Sequence, residues 1–330
     1  MAKKVSVIIP TFNAESTIER AIDSVLNQDF TDFEIVVIDN GSVDNTLRII
    51  SQYTPQIQLA TCKLKGAGPA RNKGVEIARG QIIAFLDADD FWYPTKLSQQ
   101  IKFHMQHSST KLLTGCYANF IGKNLQIIGS SPKTKDDLSA EFEFRKYGKM
   151  PVPLSSWMLH KSTFEDVGGF NPDFLLAQDF EFLNRFLNSN GDIQVIRSPL
   201  CAYSIDYKSQ TASHYTIQFL SAQFVLHQNN LPDSMTLKIF IQKHKTFLSR
   251  FYRQAKAGEF FRRSVIDLSE KRYFVFSFFI FLGFLLSPIR TLKKVLNQSL
   301  LFHKIRVQIA KIINGFLKVI KVITPDSKSW

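Results

Sequence analysis

The sequence predicts an α/β fold, a mostly parallel sheet flanked by helices, with a C-terminal helical tail that is both basic and apolar. Two observations carry this. Short β-branched runs alternate with helical periodicities through the first 90 residues, and each predicted strand ends in polar residues. Charge is also partitioned. Residues 1–235 hold 22 Lys+Arg against 24 Asp+Glu, whereas residues 236–330 hold 19 against 4. A near-neutral body therefore precedes a tail suited to an anionic partner, either nucleic acid or a membrane surface.

Val5–Ile9 reads as the first strand. Residues 15–28 place Ile18, Ala21, Ile22, Val25 and Leu26 at helical spacing, with Asn13 available as the cap. Glu34–Ile38 is a second strand, and Asp44 is placed to cap a helix carrying Leu47 and Ile50. A helix from Gly68 to Arg79 follows, with Gly80 as its stop, and Gln81–Leu86 is the next strand. Such alternation implies parallel strands covered on both faces.

From about residue 110 the pattern changes. Leu112–Ile121 and Leu125–Ile128 predict a hairpin about Gly122-Lys123-Asn124. Residues 130–150 read as a loop or short helical segment. Residues 174–188 read as a helix, and Ile193–Ile196 as a short strand. A mixed-sheet extension of one domain over residues 1–225, with a tail over 226–330, is the simplest organisation.

The chemistry gathers at the strand ends: Pro10-Thr11-Phe12-Asn13, Asp39-Asn40-Gly41-Ser42 and Asp87-Ala88-Asp89-Asp90. Parallel strands put all three on one sheet edge, where open α/β sheets bind ligands. Three carboxylates within residues 87–90 repel one another and call for a counter-charge. A hard divalent cation, Mg²⁺ or Mn²⁺, is the natural one, bridging diphosphate oxygens. The alternative for this run is an acidic turn in which Asp90 caps the next helix.

These segments, with Gly68-Pro69-Ala70-Arg71-Asn72, resemble family 2 glycosyltransferases of the GT-A, Rossmann-like fold over roughly residues 4–225. The resemblance implies an inverting transfer of sugar from a nucleotide-sugar donor, with UDP favoured, to a glycan or lipid-linked acceptor. By the same match Pro10, Thr11, Phe12, Glu15, Asp39, Ser42, Arg71, Asp87 and Ala88 bind the donor, with Asp39 at the base and Asp87 on the ribose side. Asp89 is the metal carboxylate of the D-x-D motif. Gly168-Gly169-Phe170 followed by Gln178-Asp179 resembles the family's G-G-F and E-D elements, which makes Asp179 the general base.

The chain departs from the family at three places. Asn40 stands where Asp is common, and Gln178 replaces the Glu of the E-D pair. Tyr203-Ser204-Ile205-Asp206 replaces a Tyr-Arg-x-His element, with His214 as a candidate substitute. These changes leave a second reading open, a catalytically impaired sugar-nucleotide-binding protein of the same fold. Other classes fit less well. No Gly-rich loop follows Val5–Ile9, as a nucleotidyltransferase requires. Phe91 stands where a D-x-D-x-[TV] phosphatase needs Thr or Val, and Gly66-Ala67-Gly68 follows no predicted strand.

Cys62, Cys116 and Cys201 form no C-x-x-C pair and read as packing residues in a reducing compartment. The N-terminus shows no signal-peptide pattern, which predicts a cytoplasmic body. In the tail, residues 273–286 form an uncharged apolar run between Arg272 and Arg290, at the short limit for a bilayer span. A span, an interfacial or re-entrant segment, and a helix buried against the body all remain open. Ile305, Ile309, Ile312, Phe316, Ile320 and Ile323 recur at helical spacing, with Lys304, Lys311 and Lys318 on another face. Such a helix suits anionic lipid at the inner membrane face, or else a partner or the core. Its aliphatic, Lys-rich make-up argues against nucleic acid.

Overall fold

The computed structural model describes residues 4–107, 111–122, 124–130, 150 and 152–205, together with positions 144, 221, 224, 225, 236 and 239. The two tail segments, Asp206, His214 and most of residues 130–150 lie outside the described residues. Among the described residues, no helix is long and apolar enough to cross a membrane.

Among the described residues, nine strands form one sheet. They are β1 (Val5–Thr11), β2 (Phe33–Asp39), β3 (Ile57–Thr61), β4 (Ile82–Phe85), β5 (Phe91–Trp92), β6 (Leu112–Ile121), β7 (Ile127–Ser130), β8 (Met158–His160) and β9 (Asp192–Ser204). The order is β3-β2-β1-β4-β8-β6-β9-β5, with β7 paired to β6. The first four strands are parallel, β8 runs antiparallel to β4 and β6, and β6 pairs with β9 in parallel. The helices are α1 (Ile18–Leu26), α2 (Thr46–Ser51), α3 (Ala67–Ile77), α4 (Lys96–Met105), α5 (Lys161–Asp166) and α6 (Gln178–Asn188). This is the mixed α/β architecture of GT-A proteins.

The continuous apolar runs are explained by burial on both faces. Every residue of β1 is buried. Its side chains alternate between two core layers: Val5, Val7 and Ile9 enter one and Ile8 the other. Ile35 and Val37 of β2, with Ala84 and Leu86, join the first layer beneath α1 and Leu97 and Ile101 of α4. Val36, Ile38, Ile83 and Phe85 face the second, which α3 and α6 cover. Apolar burial contributes about 25 cal/mol per Å², and because both faces of these strands are buried they lack the alternation that would mark a half-exposed strand.

Several local expectations are corrected. Asn13 does not cap α1. It adopts φ 48°, and its side-chain oxygen accepts from the Val43 backbone N–H instead. Gly80 is not a left-handed stop: α3 ends at Ile77, and a Cβ on Gly80 would lie 2.7 Å from the Ser6 nitrogen. The glycine is needed for close approach to β1. The helix expected over 174–188 begins at Gln178, after Ala177 at φ 59°. The strand expected at Ile193–Ile196 extends to Ser204. Cys116 and Cys201, distant in sequence, meet with their sulfurs 3.9 Å apart, and both thiols are free and buried.

Candidate active site

The register of β1 and β2 brings Thr11 beside Asp39, and β4 on the other side of β1 leads into Asp87–Asp90. Three polar strand ends therefore meet on one edge, as the motif order required. The first two loops are sewn together. Ser42 Oγ accepts from the Asn13 N–H at 2.9 Å, and Glu15 Oε2 accepts from Asn45 N and Nδ2, each at 2.9 Å. Glu15 and Ser42, both expected at the donor site, thus shape the loop pair with their side-chain oxygens.

Asp39 is buried, and its carboxylate accepts from Gly41 N at 3.0 Å and from Ser42 N. The turn wraps around the carboxylate and fixes its direction. Gly41 supplies the positive φ of 92° that this turn needs. Asn40 explains its own departure from Asp: its Nδ2 donates to the Cys62 and Leu64 carbonyls, and its Oδ1 accepts from Gly66 N at 2.8 Å. A carboxylate has no protons for those two carbonyls. Pro10 and Thr11 are buried, Ala88 packs into the core layer beneath α1, and Phe12 is 54% exposed at the loop tip.

The carboxylates of residues 87–90 have three different fates. Asp87 pairs with Arg71 Nη2 in a short contact, the arginine side chain being only 4% exposed. Asp90 is fully buried and is not a helix cap. It receives the Ser155 hydroxyl in a short contact and the Ser204 N–H at 2.7 Å. Burial, then the neighbouring Asp89 and Asp87 charges, push its carboxyl well up, so it sits as an anchor rather than a ligand. Asp89 is partly exposed and its carboxylate takes no hydrogen bond from any other described residue. Burial and the Asp87 charge raise it as well.

One open carboxylate suits Mg²⁺ or Mn²⁺, which keep several waters and complete their shell with substrate phosphates. It does not make an all-protein cage, and among the described residues no group of three or more metal-ligating side chains converges. A single open carboxylate at Asp89 can offer such a cation one protein ligand.

Arg71 joins two motifs. With the Gln178 amide oriented so that its oxygen accepts from Arg71 Nη1 at 2.8 Å, its nitrogen donates to the Leu175 and Phe174 carbonyls. The guanidinium also lies 5.7 Å from the Phe170 ring centre. Asp179 follows in the first turn of α6 with Oδ1 accepting from Phe180 N at 2.9 Å. Burial raises the Asp179 carboxyl, opposed by that N–H and by Arg71. Below, Phe85, Phe164, Phe170 and Phe182 pack with ring centres 5.2–5.7 Å apart and seat α6 against β4.

Sequence reasoning did not identify Arg20, Ser24 and Ser155. Arg20 Nη2 donates to the Asp89 carbonyl at 2.6 Å, Ser24 Oγ accepts from Trp92 N, and Ser155 Oγ accepts from Asp87 N at 3.1 Å. No motif marks them, because Arg20 and Ser155 act on the acidic turn, and Ser24 on the strand that follows it, through bonds that only the tertiary fold sets up. Ser204 was noticed only as a departure, yet its hydroxyl bonds the Asp89 carbonyl.

Residues 6–168 match the model of Glycosyl transferase family 2. Part of the chain is similar to a UDP-Glc:alpha-D-GlcNAc-diphosphoundecaprenol beta-1,3-glucosyltransferase of Escherichia coli. The two are 39% identical over 128 residues, 38% of this chain and 49% of that protein. The chain spans about half the length of the first curated relatives it matches. The structure is similar to that of Staphylococcus aureus TarS 1–349 in complex with UDP-GlcNAc, with TM-score 0.56, 20% identity, and 83% and 89% of the two chains covered. It is also similar to a mannosyltransferase of Pyrobaculum calidifontis in complex with GDP-Man and Mn²⁺, with TM-score 0.52, 15% identity, and coverage of 99% and 89%. At these identities the two structures establish the shared fold.

Proposed function

We propose that this protein, whose residues 6–168 match the model of Glycosyl transferase family 2, is an inverting glycosyltransferase. It moves a sugar from a nucleotide-sugar donor, UDP-linked in the first instance, to a hydroxyl of a lipid-linked or glycan acceptor. The product is a cell-surface polysaccharide or glycolipid. The observation that carries the reading is the division of labour at residues 87–90. Asp87 and Asp90 are occupied by Arg71, Ser155 and Ser204, while Asp89 stays open beside them.

The donor lies along the edge formed by Pro10, Thr11, Phe12, Asp39, Ser42 and Arg71, with its ribose toward Asp87 and Ala88. Glu15 holds the loop beside it. Asp89 would hold a divalent cation, which when bound would supply positive charge for the departing diphosphate. Asp179 takes the proton of the acceptor hydroxyl as that oxygen bonds to the anomeric carbon and the carbon–phosphate-oxygen bond breaks. The sugar inverts, the electron pair leaves on the nucleoside diphosphate, and the proton rests on Asp179. Arg71 steadies Asp87 and Gln178 and places positive charge near the same region.

The relatives support the acceptor class, since one is named as acting on a GlcNAc-diphosphoundecaprenol. The tail pattern supports it independently. Residues 1–225 form the catalytic domain, and residues 226–330 associate with the anionic inner face of the membrane rather than with nucleic acid. The test titrates UDP, GDP and dTDP into the full chain with and without Mn²⁺, comparing wild type with Asp89→Ala. Metal-dependent binding of one nucleotide, lost in the variant, is the expected result. Binding of none would overturn the reading. Nucleotide binding without transfer from any matching donor would favour the impaired binding protein.

A further inference from the structure

We propose that Arg20, on α1, is a positioning residue that sets the direction of the Asp89 carboxylate, with the Ser204 hydroxyl as its partner. The inference rests on the reading that Asp89 carries the divalent cation. Arg20 Nη2 donates to the Asp89 carbonyl at 2.6 Å and to Ser204 Oγ at 3.3 Å, and Ser204 Oγ bonds the same carbonyl. One carbonyl thus takes donors from residues 69 and 115 positions away in the chain. The peptide that follows Asp89 is held from two sides.

The carboxylate of Asp89 has no bond from another described residue, so the protein positions it through the backbone that bears it, which fixes the Cα–Cβ bond from which the carboxylate reaches out. That backbone is gripped along its length. Asp90 is fixed by Ser155 and the Ser204 N–H, and Asp87 N donates to Ser155 Oγ. Arg20 and Ser204 supply the grip at residue 89 itself. Mg²⁺ and Mn²⁺ hold their oxygen ligands at short distance in a near-octahedral shell, so a ligand that swings loses affinity steeply.

A simple counter-charge would place its guanidinium on the carboxylate oxygens. Arg20 instead bonds the carbonyl and lies 5.2 Å from the Phe91 ring centre, which clamps it from the other side. Among the described residues its Nε is buried without a partner, so this pose is kept at the cost of a lost donor. A neutralising role would not require that sacrifice.

The sign of one measurement separates the two roles. Mn²⁺ uptake by the full chain is followed by electron paramagnetic resonance of the free ion. UDP or GDP is present, whichever supports uptake by wild type. Arg20→Met and Arg20→Lys are expected to weaken Mn²⁺ by about 10-fold or more, as removal of groups that orient a metal ligand does. Ser204→Ala should weaken it in the same direction, and Ser204→Thr, which keeps the hydroxyl, should bind as wild type. Thermal melts identify any variant that fails to fold, and Arg20→Lys and Ser204→Ala decide the matter if Arg20→Met does. Unchanged or tighter Mn²⁺ binding in the folded Arg20 variants overturns the proposal, because removing a mere counter-charge frees the carboxylates for the cation. No uptake by wild type, or full uptake by Asp89→Ala, overturns the cation reading and this inference with it. Loss in Asp89→Ala with retention in the Arg20 variants overturns this inference alone.

Discussion

Arg71 on α3 donates from Nη2 to Oδ1 of Asp87, and this pair fastens the third helix to the turn that closes β4. The arginine is almost wholly buried and the aspartate about one quarter exposed. Removing the cation strands a poorly solvated carboxylate and also releases Gln178. Arg71→Met is expected to cost about 2–3 kcal/mol in urea unfolding, below the 3–5 kcal/mol of a fully buried pair because Asp87 keeps some water. Transfer should fall by more than the lost folded fraction explains. Arg71→Lys should recover charge but not the two-sided bridge.

Asn40→Asp tests whether the departure at the second strand end is structural. The asparagine amide serves two carbonyls, those of Cys62 and Leu64, and its oxygen serves Gly66 N. Aspartate would keep only the last and face both carbonyls with negative charge. About 2 kcal/mol of stability should be lost, read as a lower urea midpoint with an unchanged slope. A variant as stable as wild type would show that water replaces the amide at no cost.

His104 gives the fold a pH dependence. It is buried on α4, neither ring nitrogen has a hydrogen-bond partner among the described residues, and its ring centre lies 4.9 Å from that of His160. Burial, then His160 and His107, lower it to about 4. An unfolded histidine titrates near 6.5, so the unfolded chain binds the proton first as pH falls. The stability is fully present above about 6.5 and is lost through the window down to about 4. The loss reaches roughly 3 kcal/mol for this group. Carboxylates titrate over part of the same range, so the readout is the difference between wild type and His104→Leu. The variant should lack this part of the acid loss, and identical acid profiles would refute the assignment.

The contrast between what the sequence revealed and what it hid has a physical basis in α4. The strands β1, β2 and β4 were legible because two-sided burial leaves near-continuous apolar runs. The helix Lys96–Met105 entered the sequence reading only as an unplaced helix after Asp90, because its buried face is largely polar. Lys96, Gln100 and His104 recur every fourth residue along it and are all buried. Lys96 Nζ donates to Gln100 Oε1, and Gln100 Nε2 donates to the carbonyls of Thr114 and Ser156. Satisfied polar groups can fill a core, but hydropathy cannot recognise them. Strand β3 was missed because only Ile57 of its five residues is fully buried. At the site, Asp39, Asp87, Asp89, Arg71 and Asp179 were legible as motif residues. Arg20 and Ser155 were not, since their partners, main-chain groups and side chains 65 or more residues away, are brought to them only by the tertiary fold.

Asp179→Asn should move stability and activity in opposite directions. Burial holds the Asp179 carboxyl above the ordinary carboxylate range, despite the Phe180 N–H and Arg71. A raised folded-state pKa means that stability from this group is present at low pH and is lost as pH rises through the folded value. At neutral pH the ionised group therefore strains the fold, and the neutral amide relieves that strain. The variant should melt at a higher temperature than wild type at pH 7.5, with the gain vanishing toward pH 3. Transfer should fall by about 10²–10⁴-fold, the range for loss of a general base, while nucleotide binding stays near wild type. In wild type, transfer should decline as pH falls below the raised value, on a limb absent from the variant's residual rate. A variant with both transfer and melting temperature unchanged would remove Asp179 from the reaction, and the base would then have to be sought elsewhere along the same edge.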